Sequence, residues 1–271
     1  MLCRKYQPAP DLTPWLAQGW EWRFDKSQHI PEIFPGTGAE LLFNLGTPLS
    51  ITNIWQQNSP QQHFIVDSGA AVLLCPRHTR LCFATNGDVH LLALRLRSSA
   101  CFDLFGIPLD HICDQVIGLN ELGVTLPSAE QLIKLGPRTL GHWLRQQLSR
   151  RPTRDLALAQ AIESLYYGVP GTELQQQLGM STRTFQRRLR CHIGVDARYF
   201  LRTARFQKTL RQLLSDSPLL DTLLTHGYCD QSHFIKSCHF FTQRSPGQLL
   251  TLEHKTLNHY SPKVNELAGF L

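Results

Sequence analysis

The sequence predicts an α+β chain: a β-rich, barrel-like first half closed by helices, then an all-α half with two helix-turn-helix units joined by a long helix. Three observations predict it. Up to about residue 97 the apolar residues fall in short or alternating runs broken by Gly, Pro, Asn and Asp, the punctuation of strands and turns. From about residue 128 the period lengthens to that of helices, as in Leu140, Trp143, Leu144 and Leu148 on one stripe. Positive charge is also segregated. Residues 1–150 hold twelve basic and twelve acidic side chains, so the whole net charge of +6 lies in residues 151–271.

In chain order, "ELLFNL" (40–45), "AAVLLC" (70–75), "RLCFA" (80–84) and "HLLALRLR" (90–97) read as strands of a small barrel or sandwich. In the last, Leu92, Leu94 and Leu96 alternate with Ala93, Arg95 and Arg97, predicting one buried and one wetter face. Ser128 and Gln131 stand at capping-box spacing ahead of the closing helices. Residues 1–148 are thus expected to form a β-rich first domain, and the polar "SRRPTRD" (149–155) a linker. Residues 156–252 are expected to form an all-α second domain, followed by a tail, 253–271, that carries no signal.

Within that domain a first helix-turn-helix is expected at about 172–191, opened by Thr172 and Gln175 as a capping box and broken at Gly179. A linker helix follows at about 196–214, with Tyr199, Thr203, Phe206, Leu210 and Leu213 inward and Arg198, Arg202 and Arg205 outward. A second unit is expected at about 218–241. Ser217 and Pro218 open it in cap and N1 order, and Leu219, Leu220, Leu223 and Leu224 form its apolar face. Asp230 caps its last helix, in which Phe234, Cys238 and Phe241 turn inward.

The charge has a location as well as a sign. Between Thr182 and Arg211 stand nine basic residues and one acid, Asp196. This is the footprint of a polyanion binder. On a helix wheel Phe185 and Leu189 face the domain, while Arg183, Gln186, Arg187 and Arg190, at i, i+3, i+4 and i+7, share the opposite side. Arg reads the O6 and N7 edge of guanine, Gln the N6 and N7 edge of adenine, and a helix fits the major groove.

"ELQQQLGMSTRTFQRRLRCHIGV", the long helix and "LLDTLLTHGYCDQSHFIKSCHFFTQRSPGQLL" resemble the paired helix-turn-helix units of the AraC family of bacterial transcription regulators, over roughly residues 155–251. The most specific part is the run from Gly227 to Phe234 followed by Phe241 to Gly247. The resemblance implies DNA contacts by Arg183, Gln186 and Arg187 in the first recognition helix and by Gln231, Ser232, His233 and Lys236 in the second. Thr182, Arg190 and Arg202 complete the expected set. Lys236 stands where the family has arginine and Ala197 where it has proline; Gln243 stands in place of its glycine and Cys238 in place of an aromatic residue, and these last two imply a looser second unit. "TPWLAQGWEW", "GAELLFNLG" and "ALRLRSSACFDLFGIPL" resemble the sensory domain of one AraC subgroup, which implies a cupin-like domain that takes an effector or pairs chains.

Trp22, Phe43, Trp55 and Arg95 are the candidate effector-binding residues, aromatic walls and one cation, against the plainer reading of each as packing or surface. The expected function is sequence-specific, effector-controlled transcription regulation. The expected partners are double-stranded DNA and a small molecule, with RNA polymerase and a second copy (a homodimer) as further candidates. The alternatives are an N-terminal interaction module without ligand and a cupin-type enzyme domain. The latter lacks a His-x-His pair, and neither G-x-S-x-G nor a P-loop occurs. The eight scattered cysteines contain no C-x-x-C, and "CPRH" at 75–78 lacks a second pair at zinc spacing, so reduced thiols without metal or cofactor are expected. The absence of an apolar leader or spanning run predicts a cytoplasmic protein.

Overall fold

The alternating runs of the first half fold into two sheets packed face to face. A computed structural model describes residues 2–25, 30–55, 62–151, 154–215 and 217–250, with the backbone of 266–270. The strands are β1 (Leu2–Gln7), β2 (Leu16–Phe24), β3 (Glu40–Asn44), β4 (Leu49–Trp55), β5 (Gln62–Val66), β6 (Ala71–Leu74), β7 (Thr79–Ala84), β8 (Val89–Leu96) and β9 (Val116–Gly118). The larger sheet runs β1-β2-β8-β3-β6-β9 and the smaller β5-β4-β7, all antiparallel. The expected barrel is therefore not closed: no ladder joins the two sheets among the described residues.

Between the sheets lies a core of Trp20, Trp22, Leu42, Ile51, Phe83 and Leu91. The other face of the larger sheet is covered by α1 (Ala100–Phe105), α2 (Leu109–Ile112), α3 (Ala129–Leu135) and α4 (Arg138–Ser149). Ser128 caps α3 with Gln131 closing the box, and Leu140, Trp143 and Leu144 of α4 pack on the sheet. The single wetter face expected of residues 90–97 is corrected by this arrangement. Leu92, Leu94 and Leu96 meet the helices while Leu91 and Ala93 meet the small sheet. A central strand covered on both faces stays apolar on both, and Arg95 is tolerated there through an ion pair with Glu40, itself fully buried.

The second half comprises α5 (Leu156–Tyr167), α6 (Gly171–Gln177), α7 (Thr182–Ile193), α8 (Ala197–Leu214), α9 (Leu219–Thr225), α10 (Gln231–Thr242) and α11 (Pro246–Leu249). One core gathers Leu158, Ile162, Leu165, Leu174, Phe185 and Leu189, and a second gathers Phe206, Leu210, Leu213, Phe234, Cys238 and Phe241. α8 supplies Phe200 to the first and Phe206 to the second. This continuous helix fixes the two units to each other.

Two helix starts differ from expectation in the same way. α6 begins at Gly171 after Pro170, and α9 at Leu219 after Pro218; neither has a side-chain cap. Both prolines hold φ at the value their rings impose, −60° and −57°, and lead into the helix with extended ψ, while Thr172 and Ser217 do not act as caps. The apolar face expected on α9 is also corrected. Leu223 is buried, but Leu220 and Leu224 are more than half exposed, because a seven-residue helix turns only one narrow stripe inward.

Three further features bear on how the halves join. Arg154, within the expected linker, pairs with Asp103 of α1 at 2.7 Å, so the described part of 149–155 is docked; Pro152 and Thr153 lie outside the described residues. Gln243, at the family's glycine position, ends α10 in the left-handed region with φ 58°, a conformation that costs a side-chain-bearing residue about 1–2 kcal/mol. Most of the tail expected at 253–271 is outside the described residues, but β10 (Glu266–Phe270) adds to the open edge of β1 in parallel. No helix among the described residues is long and apolar enough to cross a membrane. All eight cysteines are free thiols, four of them buried.

Candidate nucleic-acid interface

The first recognition helix is set by its turn and its cap. Gly179, at φ 61°, reverses the chain after α6, and the Met180 amide donates to the Gln175 carbonyl at 3.2 Å. Ser181 then caps α7 by accepting from the Thr184 amide at 3.3 Å. Phe185, Leu189 and Ile193 are buried beneath it. Thr182, Arg183, Arg187 and Arg190 are exposed and Gln186 is half-buried. Arg188, one position round the helix, instead pairs with Asp155 at 3.0 Å.

In the second unit Asp230 caps α10, accepting from the His233 amide at 2.7 Å. Phe234, Cys238 and Phe241 are buried, while Gln231, Ser232 and Lys236 are exposed. His233 is half-buried, edge-on to Tyr228 at 4.9 Å.

The two recognition helices open on one concave surface of about 770 Å³. Thr182 and Gln186 line it from α7, His233 from α10, and Arg198, Arg202 and Arg205 from α8 form its floor. The Arg202 guanidinium lies 3.6 Å from the centre of the Phe240 ring, a cation–π contact that orients the charge without neutralising it. A duplex laid along this surface meets cations between the two helices.

Both units are anchored to the N-terminal half. Phe34, 1 % exposed, belongs to the second unit's core with Phe206, Leu223 and Phe234. Beside Cys238, the core of the second unit therefore takes in a ring from the N-terminal half. Arg77, also 1 % exposed, donates from its guanidinium to the carbonyls of Ile193 at the end of α7 (2.8 Å), Gly36 (2.8 Å) and Gly38 (2.9 Å). Gln207 of α8 accepts from the Thr37 hydroxyl at 2.9 Å, and Arg244 reaches Glu32 at 2.7 Å. Tyr199 of α8 donates to the Arg77 carbonyl at 2.8 Å and packs on His78, which stacks on Trp55. Beneath them, Asp114 accepts from the amides of Arg77, His78 and Thr79. Burial pushes its pKa up, but the bonds from His78 and Arg77 outweigh burial and hold it below its usual range.

The four candidate effector residues do not converge. Trp22 is buried between the sheets and stacks on Trp20, while Phe43 faces the other way and meets Trp143 edge-on at 6.0 Å. Trp55 sits at the domain contact on His78. Arg95 lines a cleft of about 340 Å³ between the halves, which the other three do not share. Strand alternation explains the split, since Trp22 pairs with Leu91 and Phe43 with the adjacent Leu92 on opposite faces of β8. Sequence reasoning missed the residues that share the cleft with Arg95, among them Lys5, Arg97, Gln207 and Arg211. Gln207, a polar residue among the inward positions of α8, was the one visible signal. Among the described residues no three His, Cys, Asp or Glu side chains are grouped to hold a metal ion.

Fold and site together define a two-domain DNA-binding transcription regulator. Residues 174–251 match the family "Helix-turn-helix domain", and residues 4–118 match a "Domain of unknown function (DUF6597)". The C-terminal half therefore carries a helix-turn-helix domain of AraC type. No curated protein matches the sequence. Among solved structures its fold is similar to ToxT from Vibrio cholerae, at 11 % identity and TM-score 0.50 over 86 % of this chain and 97 % of that one. ToxT from Vibrio cholerae O395 bound to (E)-4-(8-methylnaphthalen-1-yl)but-3-enoic acid is similar at 10 % identity and TM-score 0.51, over 92 % and 98 %.

Proposed function

We propose that this regulator reads a two-part DNA site, one major-groove segment per recognition helix, under control of an anionic small molecule held between its halves. The observation that supports the first part is the concave surface shared by α7, α8 and α10. The eighteen residues of α8 span about 27 Å, and with their end loops suit the roughly 34 Å between successive major-groove faces. Thr182, Arg183, Gln186, Arg187 and Arg190 enter one groove, Gln231, Ser232, His233 and Lys236 the next, and Arg202 holds the backbone between them. Sites selected from random duplexes test this. Arg187→Ala should cost about 1–3 kcal/mol and relax preference at one base pair, whereas Arg202→Ala should weaken all sequences alike. The opposite pattern would exchange their roles.

The cleft at Arg95 supports the second part. It gathers Lys5, Arg95, Arg97 and Arg211 with Glu163; burial and the charge of Arg211 lower the Lys5 pKa, and an anion there relieves that repulsion. ToxT, similar in fold, is seen bound to a carboxylic acid. Melting of the full chain against a panel of carboxylate and phosphate metabolites should show a concentration-dependent rise that Lys5→Ala removes. A rise indifferent to Lys5 would move the effector elsewhere. The protein then acts in the cytoplasm on double-stranded DNA, with RNA polymerase and a second copy of the chain as candidate partners.

A further inference from the structure

A second cleft, of about 460 Å³, lies on the other side of α7, between that helix and the N-terminal half. It is walled by α1, by Arg151 and Arg154 beyond the end of α4, and by Arg187, Arg188 and His192 of α7. Four guanidinium groups and two carboxylates meet there. Two of the four are neutralised, Arg154 by Asp103 at 2.7 Å and Arg188 by Asp155 at 3.0 Å. Arg151 and Arg187 are left over: among the described residues neither guanidinium has a carboxylate or hydrogen-bond partner. The Arg151 guanidinium lies beside Gly106, where an added Cβ would stand 3.2 Å from it.

The position of this pair relative to the reading face gives it a meaning. At 100° per residue, Thr182 and Gln186 lie on one flank of α7, Arg187 on the other, and Arg183 and Arg190 between them. The first flank opens on the concave surface floored by Arg198, Arg202 and Arg205, the second on the cleft that holds Arg151. A major groove about 12 Å wide closes around a helix of about 10–12 Å, so a sugar-phosphate strand must pass along each flank. One flank already carries cations from α8.

We propose that Arg151, in the segment joining the two halves, binds the DNA phosphate that passes along the outer flank of the first recognition helix, beside Arg187. The proposal rests on the DNA-binding reading and extends it: the duplex touches a residue outside both helix-turn-helix units. Arg151 then supplies a sequence-independent contact, in contrast to the base contact assigned to Arg187. It also ties the operator to α1 and α4 of the N-terminal half, so a shift of that half would reach the DNA directly.

The test uses the full chain and a duplex that it selects from a random pool, with a scrambled duplex beside it. Arg151→Gln should flatten the plot of log affinity against log salt by about 0.9, the loss of one phosphate contact, by the same amount on both duplexes. Arg151→Lys should restore the slope, and ethylation interference should lose one phosphate, on the α1 side of the first half-site. An unchanged slope and unchanged interference in Arg151→Gln would overturn the proposal, as would a loss confined to the selected duplex. An Arg151-dependent rise in melting with inorganic phosphate, without the interference signal, would make the cleft a free-anion site and also overturn it. If the wild-type chain prefers no duplex, the parent reading falls as well; if it does prefer one and Arg151→Gln behaves as wild type, only this inference falls.

Discussion

Replacing Phe34 with alanine is expected to lower the stability of the second helix-turn-helix unit by about 3–5 kcal/mol, the cost of truncating a buried phenylalanine where the surroundings cannot collapse. The ring is 1 % exposed and belongs to the cluster of Phe206, Leu210, Phe234, Cys238 and Phe241. Those residues lie on α8 and α10, so the loss falls on the elements that present His233 and Lys236. Urea unfolding should show the drop, and the DNA footprint should shorten at the half-site that α10 reads while α7 keeps its own. An unchanged midpoint would mean that the second unit closes its core without the N-terminal half.

Removing the Arg77 guanidinium by Arg77→Met is expected to cost a comparable amount, about 3–5 kcal/mol. Charge-assisted hydrogen bonds contribute about 1.5–3 kcal/mol each, and three are lost, but water that reaches the freed carbonyls returns part of that. The carbonyls belong to Ile193 on one side and to Gly36 and Gly38 on the other. The same side chain therefore holds the end of α7 against the N-terminal half. Calorimetry should resolve a broadened or split transition as the halves uncouple. A single, unshifted transition would show that Gln207, Tyr199 and Arg244 suffice to join them.

Much of the DNA-binding half was legible in the sequence, for a local reason. Ser181 and Asp230 cap helices a few residues away, Gly179 turns the chain at its own position, and Phe185 and Leu189 select the inward face of α7 by spacing alone. The exposed flank of that helix follows once the inward one is known. The misreadings are of another kind. The leucine pattern of α9 points Leu220 and Leu224 inward, but the helix has no partner on that side among the described residues. Trp22 and Phe43 were grouped as aromatic walls although the register of β8 sends them to opposite faces.

By itself the sequence determined where α7, α8 and α10 start, where the positive charge collects and which side of α7 and α10 faces outward, because caps, turns and helical period act over a few residues. Only the tertiary structure decided that Phe34 completes a core nearly two hundred residues away in sequence, that Arg77 bridges the halves, and that Arg151 stands beside Arg187. Those contacts join segments far apart along the chain. Their energy comes from burial and from satisfying buried carbonyls, which no local pattern records until the halves have docked.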